Sequence, residues 1–223
     1  MAEKVIKAVV LRIEQKAENE FLVSFFTLYG YLALFTQGLN KQTSKNRANL
    51  QIGALVEIEY FRSRLKNRIG RLKKAHFIHN FDITNAIINL FFLKLVKLFQ
   101  HLKFPNHLFE IYVKNLSKYN TSNVEKYLTY FYAQATTYFG IKPSFNSCYI
   151  CGSRKNLIDF SINNGGFICS NHNHQFNQTT EKLQVFWNLY YNLDKYLTTV
   201  SEEENQKLQG ELKNIIQNAG YYI

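Results

Sequence analysis

The stretch FLVSFFTLYGYLALFT, residues 21–36, decides how the first part of this chain folds. Two runs rich in Val, Phe, Leu and Tyr flank the pair Tyr29-Gly30. Such runs on either side of a glycine turn read as a β-hairpin, with strands Phe21–Thr27 and Tyr31–Thr36. Working outward, similar runs predict strands at Lys4–Ile13, Ala54–Phe61 and Ile69–Ile78. The fourth alternates: Val56, Ile58 and Tyr60 fall on one face while Glu57 and Glu59 fall on the other, the pattern of a half-buried strand. Five short strands within residues 1–80, with a long polar loop between the third and fourth, suit a small barrel that removes its own edges by closing. The expected architecture is α+β: an N-terminal five-stranded OB-type β-barrel followed by an α-helical domain.

Beyond Asp82 the apolar period becomes helical, and helices are predicted over 83–102, 106–118, 123–139, 180–198 and 202–218. Ser122-x-x-Glu125 and Ser201-x-x-Glu204 have the form of capping boxes, in which each side chain satisfies the other residue's orphan backbone N–H. Gly140 and Gly220 supply the corresponding stops. In the third helix Val124, Leu128, Phe131, Ala135 and Phe139 make one apolar stripe. No Pro/Gly-rich linker separates 1–80 from 81–223, so the two halves are expected to pack together.

The chain has 223 residues, 46% of them hydrophobic, which marks it as folded. Its start, MAEKVIKAVV, lacks the apolar core and small-residue cleavage site of a signal peptide, so a cytoplasmic location is expected. Ile83 to Leu102 is apolar enough to raise the membrane question, but it carries Asn85, Asn89, Lys94, Lys97 and His101 and reads as a buried helix. The net charge is +11. Residues 1–80 hold 14 Lys and Arg against 6 Asp and Glu, and residues 81–223 hold 13 against 10, so the positive charge belongs to the barrel. A basic half beside a nearly neutral one is the electrostatic footprint of a polyanion binder.

The most specific local signal is CYICG, residues 148–152, whose Cys151 is separated by 17 residues from Cys169-Ser170-Asn171-His172-Asn173-His174. A Cys-x-x-Cys turn lets two thiolates grip one ion, and a second pair completes a tetrahedron. Gly165-Gly166 supplies the reversal between the two halves. Cys148, Cys151, Cys169 and His172 are the predicted zinc ligands. His172 keeps the two-residue spacing, and His174, which needs a longer loop, stays open as the alternative. Three thiolates and an imidazole leave no position for substrate, so the zinc is expected to be structural and to order residues 145–175.

Catalysis has little support. The chain has three aspartates, Asp82, Asp159 and Asp194, none beside another, whereas metal-dependent phosphodiester chemistry needs clustered carboxylates. Glu202, Glu203 and Glu204 sit at a helix start, where the dipole favours them without any catalytic role. Phosphate-loop, dinucleotide-binding and nucleophile-elbow motifs do not occur.

Binding has more. Lys41, Lys45 and Arg47 lie in the long loop, and Arg62, Arg64, Lys66, Arg68, Arg71, Lys73 and Lys74 put seven positive charges into thirteen residues with no acid among them. A phosphate backbone is the obvious partner for such a run. Tyr29, Tyr31, Phe35, Tyr60 and Phe61 are candidate stacking faces for unpaired bases.

Taken in order, these pieces resemble the bacterial DNA repair and recombination mediator family RecO. The resemblance rests on FFTLYGYLALFTQGLNKQTSKNRANLQ, residues 25–51, with Thr27, Gly30, Gly38 and Ser44 at family-like positions, and on CYICG with its GGFIC return at 165–169. The chain departs from the family at Leu39-Asn40, where members tend to be more basic, and at His172, where zinc-bearing members commonly have a fourth cysteine. The resemblance implies a non-enzymatic protein that binds single- and double-stranded DNA and anneals complementary strands. It further implies work with RecR and the C-terminal tail of the single-stranded DNA-binding protein to load RecA. The competing reading is an OB-fold and zinc RNA-binding module of translation or ribosome assembly. A protein-only scaffold predicts no salt-dependent affinity for nucleic acid at all.

Overall fold

A computed structural model describes residues 3–63, 65, 68–173 and 178–223. The chain forms two compact units, Met1–Thr121 and Ser122–Ile223.

The first unit opens with a closed barrel of five strands, β1 (Glu3–Ala17), β2 (Glu20–Thr27), β3 (Gly30–Gln37), β4 (Leu55–Phe61) and β5 (Gly70–His79), in the order β1-β2-β3-β5-β4. All five predicted strands are present, each within a few residues of its expected bounds. Closure comes from a short parallel pairing of β3 with β5, Leu34 opposite Gly70 and Phe35 opposite Arg71, while β1 pairs antiparallel with β4. The alternation of β4 holds: Val56, Ile58 and Tyr60 point into the barrel core and Glu57 is exposed. The double phenylalanine of β2 serves two cores at once, because neighbouring strand side chains point to opposite faces. Phe25 fills the barrel, and Phe26 stacks on Phe99 outside it with ring centroids 4.1 Å apart. Val9 and Leu55 lie in register beside Phe26 on that outer face and are equally buried.

Two helices complete this unit, α1 (Ala86–Phe99) and α2 (Leu108–Asn115). Ile83–Leu102 is therefore the site of a packed helix, with Ile88, Phe91, Phe92, Leu95, Leu98 and Phe99 buried. Among the described residues no helix is long and apolar enough to cross a membrane. The turn after β2 is tied to the segment between α1 and α2, where Tyr31 donates its backbone N–H to Leu102 O at 2.6 Å and Asn106 donates to Leu28 O at 3.1 Å. Gly30 sits there with φ +97°, and a Cβ on it would lie 2.5 Å from Leu102 O, so only glycine fits both the conformation and the approach.

The second unit is built around α3 (Val124–Thr136), continued by a 3-10 turn over Thr137–Phe139. The predicted stripe is buried, and so is nearly every other residue of α3, which makes it a central helix rather than a one-sided one. The box expected at Ser122 is replaced by an N-cap at Asn123 that makes no side-chain capping bond. The Glu125 carboxylate instead accepts from Gln209 Nε2 at 2.9 Å. The Ser201 box is complete on α6 (Glu202–Asn218). The helix expected over 180–198 is two helices, α4 (Thr180–Tyr191) and α5 (Leu193–Thr199). The break falls at Asn192, whose side chain accepts from Lys195 N–H and caps α5. The glycine reversal at Gly165-Gly166 lies in a short antiparallel hairpin, β6 (Leu157–Ser161) with β7 (Gly166–Cys169), whose strands are too short to show a period in the sequence.

Candidate metal centre and nucleic-acid interface

Each predicted metal ligand sits in a tight turn. Gly152 N–H donates to Cys148 O at 2.9 Å, closing the turn that carries Cys148 and Cys151, and His172 N–H donates to Cys169 O at 3.0 Å, closing the second. The β6–β7 hairpin delivers Cys169 to the first turn, and Tyr149 N–H donates across to Phe167 O at 2.8 Å. Gly166 enables this approach: its φ is +131°, and a Cβ there would lie 2.2 Å from Ser144 O. Phe145, Phe160 and Phe186 then pack the hairpin against α4, with Phe145 and Phe160 rings 5.1 Å apart and Phe160 and Phe186 rings 4.6 Å apart.

The donor atoms of Cys148, Cys151, Cys169 and His172 all lie within 4.8 Å of one another. Cys151 and Cys169 sulfurs are 3.8 Å apart, and His172 Nδ1 is 3.4 Å from Cys169 Sγ and 3.7 Å from Cys148 Sγ. Sulfur at about 2.3 Å and nitrogen at about 2.0 Å from a common centre give tetrahedral edges of roughly 3.8 and 3.5 Å. The residues therefore fit one four-coordinate ion and do not fit a disulfide, whose sulfurs sit about 2.05 Å apart. Burial pushes the Cys148 thiol up, but backbone groups of Cys151, Cys169 and Ile150 together with His172 outweigh it and hold the thiol down at about 6. Cys151 moves the other way: a backbone bond from Ser153 lowers it, but burial and the neighbouring sulfurs raise it further. His174, the alternative ligand, lies outside the described residues.

The barrel gathers basic residues from two separate stretches of chain. Because β3 covers only the start of β5, the long loop meets part of that strand's remaining edge: Asn46 Oδ1 accepts from Ala75 N–H at 2.9 Å, and Asn49 Nδ2 donates to Ala75 O at 3.0 Å. Lys45 and Arg47, the neighbours of Asn46, are thereby held near β5, and Lys41, Lys45 and Arg47 are all exposed. A cleft of about 640 Å³ opens between Phe61, Arg62, Ile69, Arg71 and Lys73, with Thr36, Gln37 and Asn46 on its other side. A second depression, lined by Gln37, Gly38, Lys41 and Ser44, shares Gln37 with it. Together they give a track from Lys41 to Arg62.

The cations of the two basic clusters are not equivalent. Lys73 Nζ lies 2.5 Å from Glu3 and 3.2 Å from Glu59, and these two hydrogen bonds raise its pKa while that of Glu59 is lowered. Among the described residues, Lys41, Lys45, Arg47, Arg62, Arg68, Arg71 and Lys74 have no carboxylate within 4 Å. Arg64 and Lys66 lie outside the described residues. Of the candidate stacking aromatics, Tyr60 is a core residue, Tyr29 is 62% exposed and Phe61 lines the cleft. Tyr31 is partly buried and its hydroxyl meets Ser24 Oγ at 2.8 Å.

Two family models cover most of the chain: the one described as recombination protein O N terminal matches residues 1–81, and the one described as recombination protein O C terminal matches residues 80–209. The chain belongs to the RecO family.

Proteins named DNA repair protein RecO are similar to it over nearly its whole length. The one from Mesoplasma florum is 23% identical, with 91% of this chain and 82% of that protein aligned. Those from Bacillus mycoides and from Bacillus cereus are each 24% identical, covering 92% and 93% of this chain and 86% and 87% of theirs. Family membership gives the chain a place in DNA repair and recombination. It also accounts for the closed barrel at the N-terminus, since the RecO N-terminal domain is of OB type. The four candidate donors legible in the sequence meet here, whereas the Lys73 ion pairs leave no local sequence signal. Glu3 and Glu59 are brought to Lys73 by the pairing of β1 with β4 and β4 with β5, which no local pattern records.

Proposed function

We propose that this chain is a DNA repair and recombination mediator that acts by binding, without a chemical step of its own. One observation carries the reading. The unit Met1–Thr121 holds 19 Lys and Arg against 8 Asp and Glu, a net of +11, while Ser122–Ile223 holds 8 of each and is neutral. The whole excess charge of the protein thus lies in the barrel-bearing unit, and Lys41, Arg62 and Arg71 of it line the two neighbouring depressions.

Single- and double-stranded DNA bind along Lys41, Lys45, Arg47, Arg62, Arg64, Lys66, Arg68, Arg71 and Lys74 by contacts to phosphate, which carry charge and no sequence information. Lys73 is left out because two carboxylates already neutralise it. Such a surface lowers the repulsion between two approaching backbones and so favours annealing of complementary strands. The functional division falls at residue 80, with 1–80 as the DNA-binding OB domain and 81–223 as the helical domain that meets protein partners. Those partners are RecR and the C-terminal tail of the single-stranded DNA-binding protein, and RecA is loaded as the outcome, in the cytoplasm at the nucleoid.

The ion held by Cys148, Cys151, Cys169 and His172 is zinc in a structural role. Three thiolates and an imidazole suit zinc, and four protein donors leave no open position for a reacting group. When bound it supplies charge that keeps the thiols ionised and fixes the β6–β7 hairpin to the first turn.

The deciding experiment is annealing of complementary oligonucleotides coated with single-stranded DNA-binding protein. Acceleration by the full chain, lost on charge reversal at Arg62 and Arg71, supports the reading. Preference for structured RNA in direct competition, with no annealing, replaces it with the RNA-binding one.

A further inference from the structure

The turn between the first two cysteines shows two large side chains to solvent: Tyr149 is 36% exposed and Ile150 is 52% exposed. Metal binding asks for neither, since the turn needs only its sulfurs and a compact backbone. Both flanks of the tip are pinned by 2.8 and 2.9 Å hydrogen bonds, Tyr149 N–H to Phe167 O and Gly152 N–H to Cys148 O. Just beyond stand Arg154 and Lys155, both exposed and without a carboxylate inside 4 Å among the described residues. Although the unit is neutral overall, residues 141–173 carry Lys142, Arg154 and Lys155 against Asp159 alone. That one carboxylate is occupied, accepting from Phe160 N–H at 2.7 Å and from Asn173 Nδ2 at 2.9 Å.

We propose that this metal-held turn is a second contact for single-stranded DNA, separate from the barrel track. Tyr149 stacks on an unpaired base, Ile150 packs beside it, and Arg154 and Lys155 hold the adjoining phosphates. The inference rests on the DNA-binding reading above and adds a site to it. An aromatic face next to free cations is the chemistry of single-strand binding. A turn already fixed by an ion and by hydrogen bonds loses little freedom when it engages. Duplex DNA keeps its base faces stacked inside, so the tyrosine gains nothing there.

The test uses the full chain, labelled oligothymidylate and a duplex of equal length, with metal content checked for every variant. Tyr149→Ala is expected to weaken oligothymidylate binding roughly five-fold or more, with duplex binding unchanged and Tyr149→Phe like the parent. Arg154→Glu with Lys155→Glu is expected to make the salt slope shallower by about 1.4, two single-strand phosphates' worth. In the unaltered chain, 5-iodouracil oligonucleotides are expected to crosslink to Tyr149. Parent-like affinity and slope in the metal-replete variants, or no crosslink within 148–155, overturns the proposal, as does equal weakening on duplex and single strand. The barrel variant Arg62→Glu with Arg71→Glu separates the two readings. If it alone loses DNA, only the second contact falls; if it keeps DNA, the reading of the barrel falls.

Discussion

The hydroxyl of Tyr112 on α2 donates a 3.0 Å hydrogen bond to the carbonyl oxygen of Gly53, in the loop that leads into β4. The tyrosine is fully buried, so its ring also packs there, edge-on to Phe99 with centroids 5.8 Å apart. One side chain thereby fastens α2 to the barrel loop by both shape and polarity. Tyr112→Phe keeps the ring and strands a buried acceptor, which costs about 1–3 kcal/mol. A lowered melting temperature of the first unit, with metal content unchanged, is the expected result. Burial also pushes the phenol pKa well up from its ordinary value.

Gly166→Ala is expected to disrupt the metal centre from a distance. The new methyl would meet the Ser144 backbone, whose N–H and carbonyl both bond to the β7 end of the hairpin, at 2.7 Å to Gly165 O and 2.9 Å from Phe167 N. Backbone strain of this kind costs about 1–3 kcal/mol before any clash is counted. Reduced metal affinity with the barrel's amide protection intact is the outcome to look for by hydrogen exchange.

Removal of the metal should release residues 145–175 and spare the barrel. Structural zinc of this type contributes roughly 10–16 kcal/mol to ordering its own site. Elemental analysis should find one equivalent of zinc, and cobalt substitution should give the intense visible absorption of a tetrahedral thiolate-rich site. Unchanged exchange over 145–175 after chelation would falsify the assignment.

The Glu3–Lys73–Glu59 cluster gives a pH dependence with a definite sign. The Lys73 hydrogen bond lowers Glu59 below its ordinary 4.5, so the stabilisation it contributes is present above the unfolded value and is lost as pH falls through the folded one. Lys73 is raised above 10.5 by Glu3 and Glu59, so its contribution is complete below that value and disappears as pH rises through the folded one. A carboxyl NMR titration should place the Glu59 midpoint below 4.5, and Lys73→Met should return it towards that value.

The same pairing separates Lys73 from its neighbours in DNA binding. Arg62→Ala with Arg71→Ala should make the salt slope shallower by about 1.4 for single strands, whereas Lys73→Ala should leave it nearly unchanged. A Lys73 effect as large as that of the arginine pair would mean that DNA displaces both glutamates.

Much of this architecture is legible in adjacent residues. The period-two runs around Tyr29-Gly30, the helical spacing after Asp82 and the Ser201-x-x-Glu204 box each act within a few residues, and each is found where the sequence puts it. The candidate metal ligands are legible for the same reason: two thiolates with two residues between them are already half a site, whatever the rest of the chain does. The Asn192 break was less visible, since a good N-cap inside an apolar helical period can be read either way until packing chooses.

Composition and spacing by themselves determined that this protein has a five-stranded barrel, helices, a cluster of three cysteines and a histidine spaced to hold a metal ion, and a strongly basic N-terminal part. Only the tertiary structure decided that β5 closes on β3 in parallel, that Asn46 and Asn49 of the long loop bond to Ala75 on β5, and that Lys73 belongs to two glutamates. It also decided that Phe26 faces helix and Phe25 faces barrel. The reason is one of range. Turn, cap and chelate chemistry act between near neighbours in the chain, whereas partners from distant stretches are chosen by which arrangement buries the most apolar surface with every backbone group satisfied.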